Sequence, residues 1–202
     1  MLATDELMQK LPQTPLVQKA LHTAVVYHNK TRRRISDELY LNHPLRVAAI
    51  CQNAGGSESL VAEALLHDVL EDGMNANTQE KMTYEKLLAD FGETIASVVL
   101  SLSDDTAIDD RVKRKQMSIL RLKRAGKDAL TIKCADMIDN TNDLVAAINE
   151  GHAVNWSVFH HTPQEKLDRW YENYQIIKAG CPDCPLLNKL KENLEVIRKS
   201  LV

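Results

Sequence analysis

Aromatic side chains make up only 4% of the 202 residues, and the chain holds 7 glycines and 6 prolines. So little aromatic and turn-forming material leaves few resources for a sheet protein. Ala, Leu, Lys and Glu dominate instead and favour long helices. No apolar run approaches the ~18 residues that a membrane span requires. The opening MLATDELMQKLPQTP lacks a basic stretch followed by an apolar one and does not read as a signal peptide. A dominant charge is missing too: 25 Lys and Arg face 28 Asp and Glu, for a formal net charge of −3. No basic field is available for duplex nucleic acid. These absences point to a cytoplasmic protein with no nucleic-acid partner and no membrane contact; a homo-oligomer is compatible with them. With 44% apolar and 26% charged residues, the chain can bury the core of one domain.

Cysteine is scarce as well: Cys51, Cys134, Cys181 and Cys184. The last two form CPDC. A structural zinc site normally needs a second ligand pair, and the nearest histidines, His160 and His161, offer no metal-ligand spacing. The pair is read as reduced cysteines in a turn between helices.

Apolar spacing predicts helices over about 15–30, 44–52, 58–72, 83–91, 93–102, 109–125, 127–149, 163–179 and 185–200. Pro44 suits a first helical position, Ser57 and Thr83 suit N-caps, and Gly73 and Gly151 suit stops. TRRRISDELYLN is a polar, basic loop of about twelve residues, long enough to be functional. MNANTQEK reads as a mobile connection. No alternating strand pattern or internal repeat is found. The fold class is therefore all-α, a bundle of about eight to nine helices. Residues 1–180 are read as the domain proper, and 181–202 as a C-terminal helical tail packed on it.

LLHDVLED ends the 58–72 segment. On a helical projection Val61, Ala64, Leu65, Asp68 and Asp72 share one stripe, and His67 and Glu71 share the next. Leu66, Val69 and Leu70 cover most of the rest, so the helix is apolar nearly all round and should be buried. Carboxylates buried with it need cations or a metal ion. The other reading is a helix end that emerges into water. Further ligands are available, however. Asp136, Asn140 and Asp143 form one polar stripe beside Ile132, Ala135 and Ile138, and His43 stands at a helix entry. His43, His67, Asp68 and Asp136 would supply two nitrogens and two carboxylate oxygens. That set suits manganese, iron or zinc better than calcium or magnesium. Glu71 and Asp72, one turn on, can orient or deprotonate a water. Lys133, three residues before Asp136, can steady the metal site or a phosphate.

YLNHPLRVAAI, ALLHDVLEDG, SLSDD and KCADMIDNTNDL, in this order and at these spacings, resemble the HD-domain metal-dependent phosphohydrolases. The likeness is greatest to the hydrolase domain of the RelA/SpoT alarmone enzymes and to the stand-alone small alarmone hydrolases, and it covers about residues 15–178. The resemblance implies an HD-domain helical bundle with manganese held by His43, His67, Asp68 and Asp136. It implies that Glu71 and Asp72 activate the attacking water. It also implies substrate contacts from Arg34, Tyr40 and Asn140. The reaction it implies is removal of the 3′-pyrophosphate of guanosine tetra- or pentaphosphate, so the partner is a phosphorylated nucleotide. One stretch departs: where the family commonly reads Arg-Lys-x-Gly-x-Pro-Tyr, this chain reads Arg34, Ile35, Ser36, Asp37, Glu38, Leu39, Tyr40. A base-contacting cation is lost there and two acidic residues enter. An HD-domain nucleotidase or NADP(H) phosphatase is therefore the alternative, and a non-catalytic nucleotide-binding module the second alternative.

The basic clusters TRRR, RVKRK and RLKR could hold a polyphosphate; the latter two read equally as solvated helix faces. His22 and His28 are assigned structural or surface roles, Trp156 and Trp170 core packing, and Asp104 and Asp105 either support of the ligand shell or capping.

Overall fold

The structure, a computed structural model, describes residues 4–28, 32–33, 38–71, 73–105, 108–154, 156 and 162–201. Among them run nine helices: α1 (Thr4–Lys10), α2 (Pro15–His28), α3 (Asn42–Asn53), α4 (Glu58–Leu66), α5 (Tyr84–Leu102), α6 (Arg111–Arg124), α7 (Lys127–Asn149), α8 (Pro163–Gly180) and α9 (Leu187–Ser200). Pairing of β type among the described residues is confined to two isolated bridges, Arg32 with Leu39 and Met74 with Lys81. The all-α expectation holds, and no described helix is long and apolar enough to cross a membrane.

Local chemistry explains the boundaries. Ser57 caps α4 by accepting the Leu60 N–H, and Thr83 caps α5 by accepting the Lys86 N–H. Thr162 and Glu165 form a reciprocal capping box ahead of α8, with Pro163 in its first turn. Gly92, at φ 80°, breaks α5 where two separate helices were expected, so they run on as one kinked element.

Burial arranges the helices into two apolar clusters sharing one wall. The first joins α1 to α5 and takes Ile132 and Ala135 from α7. The second joins α6, α8 and α9 and takes Leu130, Cys134, Met137 and Ile138 from the other side of α7. Between these faces α7 carries a polar stripe. α4 is buried along nearly its whole length, Leu60 to Leu66, as its all-round apolar character predicts. Cutting Leu65 to Ala would cost roughly 2–5 kcal/mol.

Three expectations are corrected. Residues 4–10 form a helix, anchored by buried Leu7, that the apolar spacing did not reveal. α4 stops at Leu66, not at 72. The His67 ring takes the Ala64 carbonyl, and the chain continues in three-residue turns, Val69 N–H to Leu66 and Glu71 N–H to Asp68. The 74–81 connection is a bonded turn, strapped to the end of α2 by Met74 N–H to Tyr27 and Ala76 N–H to Val26.

Candidate metal centre and its cavity

His43 lies in the first turn of α3, His67 and Asp68 just beyond α4, and Asp136 midway along α7. One ligand atom from each of His43, His67 and Asp68 lies within 4.8 Å of the others. Asp136 Oδ1 is 3.4 Å from His43 Nε2, completing the fourth side. His67 is buried, and its Nδ1 lies 2.8 Å from the Ala64 carbonyl. A carbonyl only accepts, so Nδ1 carries the proton and the Nε2 lone pair faces the cluster. That Nε2 is fully buried without a hydrogen-bond partner, 3.2 Å from Asp68 Oδ2. An orphaned imidazole nitrogen among carboxylates is a poor arrangement unless a cation sits between them, so the donor set fits a divalent metal.

The electrostatics agree. Burial opposes ionisation of Asp68, yet the neighbouring His67 and His43 imidazoles hold its carboxyl below the ordinary range. Burial is likewise outweighed at Asp136 by Lys133, whose Nζ is 2.8 Å away, and by His43. Burial alone would lower His43, but its bonds to Asp136 and Asp139 carry it up to about 9. Metal loading there must displace a proton.

Surrounding groups hold the ligands in place. Tyr40 Oη donates to Asp68 Oδ2 at 2.6 Å, and the Tyr40 ring stacks on His28 at 5.1 Å. Asn140 donates to Asp136 and accepts from Arg33 at 2.6 Å. Tyr40, Lys133 and Asn140, expected at the substrate, thus all touch ligand carboxylates directly. Arg34 and Asp72 lie outside the described residues. Glu71 accepts the Asp104 N–H at 2.5 Å. Burial first, then the charge of Asp68, pushes the Glu71 carboxyl up to about 8.

Sequence reasoning missed Asp139. Only 3% exposed, it accepts from His43 Nδ1 at 2.7 Å and from Arg46 Nε at 2.6 Å, with Arg33 at 3.2 Å. Glu38 closes the network, accepting from Arg46 at 2.7 and 2.9 Å. The signal was present: a charged residue three positions after Asp136 on a helix otherwise buried there. His28 takes the structural role of the two that the sequence left open. It is fully buried, and burial pushes it down to about 4, so it is neutral at physiological pH.

The centre opens into a cavity of about 670 Å³. Arg114 and Lys115 of α6, Lys133 of α7, and Lys166 and Arg169 of α8 line it, together with Ser118, Met137 and Trp170. Lys166 Nζ lies 4.9 Å from the Trp170 ring centroid. RVKRK thus contributes to the cavity. In RLKR, by contrast, Arg121 reaches the Ser103 carbonyl and Asp105.

Two histidines and an aspartate close together, with Asp136 beside them and a basic cavity alongside, form a candidate metal centre of the histidine–aspartate kind in an all-α bundle. The chain belongs to the HD-domain family, whose model matches residues 20–159. It is 31% identical over 139 residues to guanosine-3′,5′-bis(diphosphate) 3′-pyrophosphohydrolase MESH1 of Xenopus tropicalis, covering 67% of this chain and 73% of that protein. To MESH1 of Drosophila melanogaster it is 32% identical over 156 residues, covering 76% and 77%. A solved metazoan ortholog of SpoT, described as hydrolysing ppGpp, superposes with a TM-score of 0.72 at 22% identity, over 95% of this chain and 99% of that one. That likeness shows the fold. The structure of lmo0812 from Listeria monocytogenes superposes with a TM-score of 0.65 at 25% identity, covering 79% and 98%.

Proposed function

We propose that the protein is a manganese-dependent phosphohydrolase that removes the 3′-pyrophosphate of guanosine tetra- or pentaphosphate, releasing GDP or GTP and pyrophosphate. One observation carries this reading: the His43, His67 and Asp68 cluster, with Glu71 beside it, opens onto a cavity walled by cations from three helices. The relatives named as 3′-pyrophosphohydrolases support the choice of substrate.

His43, His67, Asp68 and Asp136 would hold the ion, two nitrogens and two carboxylates in a mixture that suits manganese. When bound, such an ion supplies positive charge that polarises a phosphate oxygen and acidifies water. The chain's own groups do the rest. Lys133, Arg114, Lys115, Lys166 and Arg169 neutralise the polyphosphate and orient it. Glu71, fixed by the Asp104 N–H and with its carboxyl raised to about 8 by burial and the Asp68 charge, is placed to take a proton from the attacking water in its ionised form. Water adds to the outgoing phosphorus, the bond to the ribose 3′-oxygen breaks, and pyrophosphate leaves.

A second reading rests on the basic loop. Arg33 is bonded to Asp139, Asn140 and Glu38, and Asp37 stands where the family commonly carries glycine. A nucleotide with a different phosphate, such as NADPH losing its 2′-phosphate, fits that change. The test is a substrate panel under manganese with products separated by chromatography. GDP and pyrophosphate from ppGpp support the first reading. Phosphate released from NADPH with ppGpp untouched supports the second.

A further inference from the structure

The amphipathic order of α6 is reversed. A helix at the edge of a bundle normally turns its apolar side inward and its polar side to water. Here Arg114, Lys115 and Ser118 line the cavity, and among the described side chains of α6 only Leu122 is buried. Val112, Met117 and Leu120 stand in solvent instead, Val112 at 68% exposure and Leu120 at 46%. They are three of the five large apolar side chains exposed among the described residues. A fourth, Leu100 of α5, shares a groove of about 300 Å³ with Arg121 and Arg124 of α6. Asp109, Lys113, Gln116, Lys123 and Arg124 are exposed as well. On a helical projection these five and the three apolar residues of α6 fall within one arc of about 140°.

Apolar side chains gathered on an exposed face mark a surface that another surface covers, and the charges here say which. Asp109 stands just before α6 and Lys123 and Arg124 at its end, with Val112, Gln116, Met117 and Leu120 between. Laid antiparallel on a second α6, with Gln116 at the two-fold axis, this face complements itself. Asp109 of each copy meets Lys123 and Arg124 of the other, and Val112 of each meets Leu120 of the other. A parallel arrangement would set Asp109 against Asp109 and Arg124 against Arg124, a repulsion at both ends. An anionic membrane would attract the basic end and repel the acidic one.

We propose that the outer face of α6 is a self-association surface, through which two copies of this chain pair antiparallel about a two-fold axis at Gln116. The seam is one helix wide, so association is weak and depends on concentration. Arg114, Lys115 and Ser118 lie on the opposite side of the same helix, so pairing braces a cavity wall that the rest of the chain holds through one buried apolar side chain, Leu122.

Sedimentation velocity of the whole, metal-loaded chain over a wide range of concentrations tests this without substrate, so the outcome is independent of the proposed activity. The expected result is a monomer that passes to a dimer as concentration rises. Leu120→Glu should leave a monomer at every concentration; Leu120 is exposed, so the variant keeps its core, and thermal unfolding checks that it does. Asp109→Lys should weaken dimerisation roughly tenfold, because two attractive charge pairs become repulsive. Lys123→Glu combined with Arg124→Glu should do the same. Mixing these two charge variants should restore association, since each presents the charge that the other lacks. A chain that stays monomeric, a dimer that survives Leu120→Glu or a mixture that fails to associate would each overturn the proposal. So would a monomer that binds vesicles of anionic phospholipid and loses that binding in Leu120→Glu.

Discussion

Asp139→Asn probes the network that the sequence concealed. The carboxylate receives His43 Nδ1 at 2.7 Å, Arg46 Nε at 2.6 Å and Arg33 Nη1 at 3.2 Å, all in a buried setting. Asparagine keeps one acceptor, turns an NH₂ group toward these donors and removes the charge facing two guanidinium groups. Breaking a buried ion pair costs about 3–5 kcal/mol. Arg46 retains Glu38, and Arg33 retains Asn140, so a loss of about 2–3 kcal/mol is expected here. His43 also loses the partner that fixes its tautomer, which should weaken metal binding about 10–100-fold. Denaturant unfolding of metal-free protein measures the first quantity. Competition with a chromophoric chelator, well below the unfolding temperature, measures the second. A folded variant with unchanged metal affinity would refute the role given to Asp139.

Other outcomes follow from the same contacts. Tyr40→Phe removes the 2.6 Å bond to Asp68 and should cost about 1 kcal/mol of stability with a several-fold fall in kcat, read from unfolding and steady-state rates. Lys115→Ala, on the cavity wall, should raise KM more than it lowers kcat in initial-rate measurements. Glu63 is fully buried in α4 with both carboxylate oxygens unpartnered, and burial pushes it from 4.5 up to about 8. A raised folded-state value means that stability is fully present below pH 4.5, declines as pH rises toward 8 and levels off above. The loss by pH 7 is on the order of 3 kcal/mol. Glu63→Gln should flatten that slope between pH 5 and 8 in thermal unfolding; parallel curves for the two proteins would contradict it.

Most of the fold, and the residues that it gathers at the candidate centre, could be read from the chain because they depend on local signals. Pro15, Ser57, Gly126 and Pro163 mark helix ends within a residue or two, and the all-round apolar α4 correctly implied a buried polar terminus. α1 was missed because seven residues with one buried leucine give almost no periodicity. The extent of α4 was misread because a side chain, the His67 ring, displaces a backbone donor from the Ala64 carbonyl, and spacing carries no trace of that competition. Asp139, Arg33 and Arg46 stayed hidden for another reason. Their partners lie 93 to 107 positions away, so their charges acquire meaning only when α3, the 32–33 bridge and α7 are brought together. Tyr40 and Asn140 lie beside the cluster, but their contacts to Asp68 and Asp136 depend on rotamers that spacing does not specify.

The central claim is that one buried cluster holds a metal while Glu71 handles the water. Elemental analysis and turnover of ppGpp, measured on the same preparations of wild type, His67→Ala and Glu71→Gln, test it most directly. The account predicts about one divalent ion per chain in wild type. It predicts loss of both ion and turnover in His67→Ala. In Glu71→Gln the ion should stay and the rate should fall about 10²- to 10⁴-fold. Full turnover by metal-free protein, or near-normal turnover by Glu71→Gln, would contradict it.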